Sequence, residues 1–161
     1  MSASIDTTKV QGRRQLHFDS LADIAADVER LAQAKEVRAL GNWSSGQVVQ
    51  HLANTMTNSI DGFSGFVPFP LRIFLRLFMK GRFLNRTMDP GFNLPASAGN
   101  LLPPPTDWAD AVAAFRAATK RLQTETKRSP HPALGNLSAE EWVRMHCRHS
   151  ELHLSFLVPV E

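Results

Sequence analysis

Three absences frame this sequence. It holds one cysteine, Cys147, so no intrachain disulfide is available, and a lone thiol fits a reducing compartment; a cytoplasmic location is the expectation. No apolar run approaches the roughly 20 residues that a spanning helix needs, and the first residues lack the apolar stretch of a secretory leader. Stable membrane insertion is therefore not expected. The third absence is local. From Trp43 to Ile60 not one residue is charged, whereas a solvated helix face normally carries Lys or Glu. That face is expected to line a polar cavity. The formal net charge of +3 is mild and makes no case for nucleic acid as a partner.

What is present reads as helices. The 161 residues suit one domain with a sizeable core. Residues 1–18 are polar and aperiodic, an N-terminal arm in extended form, and residues 19–161 make the domain. A first helix starts near Asp19 or Ser20, buries Leu21, Ile24, Val28 and Leu31, and ends by about Leu40 at Gly41-Asn42. A second starts at Ser44, where Ser44 and Gln47 have capping-box spacing and Trp43 and Val48 that of a hydrophobic staple. Its apolar side runs from Val48 to Phe63, and Gln47, His51, Asn54 and Asn58 lie opposite. A third starts at Thr106 or Asp107, with Trp108, Val112, Phe115 and Leu122 inward and Lys127 and Arg128 in its last turn. The fourth runs from Ser138, paired with Glu141 in another capping box, to Leu157. Four amphipathic helices, no convincing strand pattern and no repeat predict an all-α four-helix bundle.

Between the second and third helices, residues 63–105 form a long, partly helical excursion. Phe63, Phe66, Phe69, Phe74, Phe78, Phe83 and Phe92 crowd there with Arg72, Arg76, Lys80, Arg82 and Arg86. Pro68 and Pro70 precede a short helix of about 70–80. Three readings compete: packing under a basic surface, a lid with a cationic rim, and a membrane-surface helix. The same excursion makes a homodimer an expectation.

The chemistry concentrates on the fourth helix. His146, His149 and His153 fall within a sector of about 60°, among Trp142, Met145, Leu152 and Phe156. Arg144, Cys147, Arg148, Glu151 and Ser155 lie on the other, solvent-facing side. His149 and His153 sit one turn apart, about 6 Å along the axis, a spacing with which helical histidine pairs hold a divalent ion. His146 with His149 is a second candidate pair. His146 and His153, about 10 Å apart along the axis, cannot share one metal. The third ligand must then come from elsewhere, and His51 on the uncharged face of the second helix is the candidate. Three neutral imidazoles leave a fourth position for water or a thiol. Gln47, Asn54, Asn58 and His146 are the expected pocket lining. Histidine-only sites accept several metals, with zinc or nickel placed first.

Gly41-Asn42-Trp43-Ser44, Gln50-His51-Leu52-Ala53, Glu141-Trp142 and Arg148-His149-Ser150-Glu151-Leu152-His153 together resemble an uncharacterised bacterial family grouped with the DinB-like metalloenzymes. The resemblance spans about Gly12 to Leu157. It implies a four-helix bundle whose metal is held by His51, His149 and His153, with His146 outside the ligand set. It also implies a metal-dependent enzyme acting with a low-molecular-weight thiol as an S-transferase or isomerase, or a related hydrolase. The competing expectation is a small-molecule-binding or stress-response module with a structural or vestigial metal, motivated by the lack of a plainly placed general base.

Overall fold

The computed structural model describes residues 4–64, 67–92, 94 and 96–160; Phe66 and the first three residues of the arm lie outside them. The chain is mostly helical. Helix α1 (Leu21–Ala32), strand β1 (Glu36–Ala39) and helix α2 (Ser45–Asp61) come first. Helix α3 (Phe69–Phe74) runs through a π turn (Leu75–Met79) into α4 (Lys80–Asn85). A short 3-10 segment (Ala96–Leu101) leads to α5 (Trp108–Thr124), α6 (Ala139–Leu154) and strand β2 (Leu157–Val160).

Local chemistry starts the helices. Ser20, Ser44 and Ser138 each accept from the backbone N–H three residues on, and the side chains of Asp23, Gln47 and Glu141 return the bond to the cap's own N–H. Each box satisfies two otherwise orphaned donors. Gly62, at φ 114°, ends α2 in a conformation that favours glycine. The third helix is shorter than the sequence suggests and stops at Thr124. Arg128 nonetheless reaches back to it, donating to the carbonyls of Leu122 and Glu125.

The main core joins Ile24, Val28 and Leu31 of α1 to Val49, Leu52 and Met56 of α2, Val112 and Phe115 of α5, and Leu154 of α6. Each such side chain contributes about 1.5–3 kcal/mol when fully buried. A second, smaller core gathers Leu84, Leu134, Leu137, Trp142 and Met145 under the α3–α4 excursion.

Two expectations fail at the ends of helices. The first helix stops at Ala32 instead of running to Leu40, and the last stops at Leu154 instead of Leu157. The residues released form a two-stranded antiparallel sheet, with Val37 opposite Pro159 and Ala39 opposite Leu157. β-branched Val37, Val158 and Val160 suit extended backbone better than a helical turn. The sheet pins the end of α6 beside the start of α2.

A third expectation fails on α6 itself. Cys147, Arg148, Glu151 and Ser155 are buried, not solvent-facing. The arm covers them: Arg14 donates its backbone N–H to Ser155 O, and its guanidinium bonds to Leu154 O and both carboxylate oxygens of Asp27. No helix among the described residues is long and apolar enough to cross a membrane.

Candidate metal centre

The uncharged stretch of α2 has a different cause from a cavity. No residue from Ser45 to Ile60 is exposed, so there is no solvated face for a charge to occupy. Its polar side chains instead grip the segment just before α5. Gln47 donates to Pro103 O at 2.9 Å, besides capping its own helix. Asn54 donates to Asn100 O at 2.6 Å, and Asn58 donates to Asn100 Oδ1 at 2.8 Å. Three of the four residues expected to line a pocket, Gln47, Asn54 and Asn58, are thus engaged by the backbone and side chain of one strap, residues 100–103. It is this end of the 63–105 excursion that reaches His51.

His51, in the middle of that row, is buried and approaches Leu101 O through Nδ1 at 2.7 Å. A carbonyl oxygen only accepts, so Nδ1 carries the hydrogen and Nε2 is left with its lone pair. That nitrogen lies 3.2 Å from Nε2 of His149. The ring of His153 is 4.5 Å from that of His51 and 4.6 Å from that of His149, centroid to centroid. One nitrogen from each of the three histidines falls within 4.8 Å of the others. Trp43 closes one side, with its ring stacked on His153 at 5.8 Å and 9° and its centroid 4.9 Å from that of His51.

The cluster is held neutral. Desolvation pushes the His51 pKa down to about 4, only partly opposed by the bond to Leu101. Desolvation, then the neighbouring imidazoles, holds His149 well below the ordinary histidine range. His153 shifts the same way, by desolvation, then His51 and Arg13. Neutral imidazole is the form that ligates a divalent cation. The 3.2 Å separation of the two Nε2 atoms also matches the edge of about 3.3 Å that tetrahedral zinc–imidazole bonds of about 2.0 Å require. The donor chemistry of all three residues and the spacing of the His51–His149 pair fit a divalent ion.

His146 is apart from the three. Its Nε2 lies 3.2 Å from Ser59 Oγ, and its ring stacks on Trp142 at 5.4 Å. Burial lowers its pKa to about 3. Cys147 is buried, and desolvation raises its thiol to about 11, so it stays protonated and unreactive at neutral pH. Glu151 turns away from the histidines. It accepts from Phe18 N–H at 2.8 Å, pairs with Arg148 at 3.0 Å and takes the hydroxyl of Thr87.

Sequence reasoning missed Trp43 as a wall of the site, and Asn100 and Leu101 as its strap. Trp43 carried a signal, since a staple residue just before the cap lies over the first turns of the helix that holds His51. A backbone carbonyl such as that of Leu101 carries none.

Residues 10–160 match a family model described as "Protein of unknown function (DUF1569)". No curated protein and no solved structure matches the chain.

Proposed function

The chain belongs to the DUF1569 family, and on that premise we propose that it is a divalent-metal enzyme whose ion is held by His51, His149 and His153. The scaffold in this reading is a DinB-like bundle made by α1, α2, α5 and α6. The observation that carries it is the convergence of three imidazole nitrogens within 4.8 Å while the other nitrogen of His51 is committed to Leu101 O. A partner on the second ring nitrogen is the usual accompaniment of a metal-ligating histidine.

When bound, a divalent ion on three neutral ligands supplies Lewis acidity, polarising an oxygen or lowering the pKa of a thiol. The chain's own residues narrow the choice of substrate. The cluster contains no carboxylate, and Glu151, on the ligand-bearing helix, is consumed by Arg148, Phe18 and Thr87. No general base is built beside the histidines from that helix. A substrate whose proton leaves readily, such as a low-molecular-weight thiol with a pKa of about 8.5, suits such a site better than water. Trp43 offers a flat apolar wall for the substrate's carbon skeleton. The reading is therefore a thiol-dependent transferase or isomerase, with zinc or nickel as the ion and hydrolysis a less suited variant. The same lack of a base supports a second reading, a binding module with a structural ion.

Metal analysis tests the centre. The purified chain is expected to carry about one ion per chain, and His51→Ala and His149→Ala are expected to lose it. His146→Gln is expected to keep it, because His146 is bonded elsewhere. Absence of stoichiometric metal, or a His149→Ala variant with unchanged metal content and stability, overturns the proposal. Turnover of thiols with electrophilic acceptors by the loaded protein separates enzyme from binding module.

A further inference from the structure

The excursion packs Phe63 and Phe83 against the second core but leaves other apolar side chains outside it. Phe69, Leu77 and Phe78 are 68%, 69% and 69% exposed, and Phe74 is 52% exposed. Phe74 and Phe78 pack on one another, 5.2 Å between centroids. Leu84 and the half-buried Leu75 turn the other way, into the second core. The helix is thus anchored along one side and leaves an apolar ridge facing outward. Ordinary core packing does not describe these four side chains, and the end of the excursion that reaches His51 is residues 100–103.

Charge identifies the occupant. From Gly62 to Met88 there is no Asp or Glu, against Arg72, Arg76, Lys80, Arg82 and Arg86. Lys80 pairs with Glu141 at 2.6 Å, and Arg82 pairs with Asp89. Arg72, Arg76 and Arg86 are exposed and have no carboxylate partner among the described residues. A second copy of the chain seated on the ridge about a two-fold axis would bring these like charges together with no acid to answer them. An anionic lipid surface answers both features, taking the apolar ridge at the depth of its headgroups and the guanidinium groups at its phosphates.

We propose that the α3–α4 ridge docks the protein peripherally on anionic membrane surfaces, with Phe69, Phe74, Leu77 and Phe78 as the inserted side chains and Arg72 and Arg76 as the electrostatic contacts. The ridge does not depend on the metal centre.

Co-sedimentation of the full chain with vesicles is the test. The chain is expected to partition onto vesicles of mixed phosphatidylcholine and phosphatidylglycerol, weakly onto pure phosphatidylcholine, and less onto either as salt is raised. Leu77→Ser with Phe78→Ser is expected to lower partitioning by at least about tenfold. Arg72→Gln with Arg76→Gln is expected to lower it on the anionic vesicles by roughly thirtyfold at low salt. Both double variants replace exposed side chains, so thermal midpoint and metal content are expected to stay unchanged. No binding to anionic vesicles overturns the proposal, as does undiminished binding by the Leu77/Phe78 variant. A dimer that the Leu77/Phe78 variant dissociates, with no vesicle binding, assigns the ridge to a second copy and also overturns it.

Discussion

The Nδ1 of His51 and the carbonyl oxygen of Leu101 are 2.7 Å apart, and this bond lets a strap residue decide the state of a helix residue. With Nδ1 as donor, the lone pair of Nε2 faces His149 and His153. Leu101 is itself placed by Asn100, which Asn54 grips by its carbonyl and Asn58 by its side-chain amide. Two polar residues of α2 thereby act on His51 through the strap.

Loosening that grip is expected to weaken metal binding without abolishing it. Asn58→Ala removes two hydrogen bonds to Asn100 and frees the strap to move. The expected loss is about tenfold in metal affinity, the lower end of what outer partners of metal ligands contribute. Competition against a chromophoric chelator reads it. Wild-type affinity in a folded Asn58→Ala protein would show that the strap does not orient His51.

A second prediction concerns acid. Burial lowers the His146 pKa to about 3 in the folded chain, against about 6.5 unfolded. As pH falls below about 6.5 the unfolded chain takes up this proton first. The stability contributed by neutral His146 is therefore complete above that value and is lost progressively down to the folded pKa. Between about pH 7 and pH 5 one such group costs about 2 kcal/mol. Urea denaturation at the two pH values, with chelator present, should show His146→Gln losing less stability than the parent by roughly that amount. Equal losses would mean that His146 is accessible to protons in the folded state.

Much of the site was legible because histidine at i, i+4 on an apolar stripe is uncommon and expensive to bury without a purpose. The caps at Ser44 and Ser138 were equally legible, since a capping box is local chemistry. The short sheet was not. Val37 and Leu157 lie far apart in sequence, and neither four-residue strand has a pattern that outweighs the helical one beside it. The burial of Glu151 was hidden for a related reason. A helical wheel assigns a charged residue to the solvent side, but the arm from Arg13 to Phe18 lies over that side and supplies a backbone donor.

Glu151 accordingly yields a stability prediction, separate from metal. Its carboxylate and the Arg148 guanidinium form a buried pair, and Phe18 and Thr87 tie it to the arm and to the loop after α4. Glu151→Ala strands Arg148 as an uncompensated buried cation and is expected to cost about 3–5 kcal/mol. Glu151→Gln keeps acceptor capacity and is expected to cost less, about 1–3 kcal/mol. Metal content of the folded variants is expected to match the parent. A loss below about 1 kcal/mol for Glu151→Ala would mean the pair is solvated, contrary to its burial.

Two glycines in helices give opposite expectations, and the contrast tests the α2–α5 packing that carries His51. A Cβ on Gly46 would lie 2.0 Å from Thr106 O and 3.0 Å from its carbonyl carbon. Both are backbone atoms and cannot swing aside. Gly46→Ala gains up to about 1 kcal/mol of helix propensity but must force α5 away from the first turn of α2. The net cost is expected to exceed about 3 kcal/mol, as for an overpacked core position. Gly81 in α4 meets nothing within 4 Å, so Gly81→Ala is expected to stabilise by about 0.5–1 kcal/mol. Because His51 lies a little over one turn beyond Gly46, the Gly46→Ala protein is also expected to bind metal more weakly at temperatures where it stays folded. Thermal melts and metal titration of the pair read both effects. A Gly46→Ala protein as stable as Gly81→Ala would show that the helices do not make this close approach.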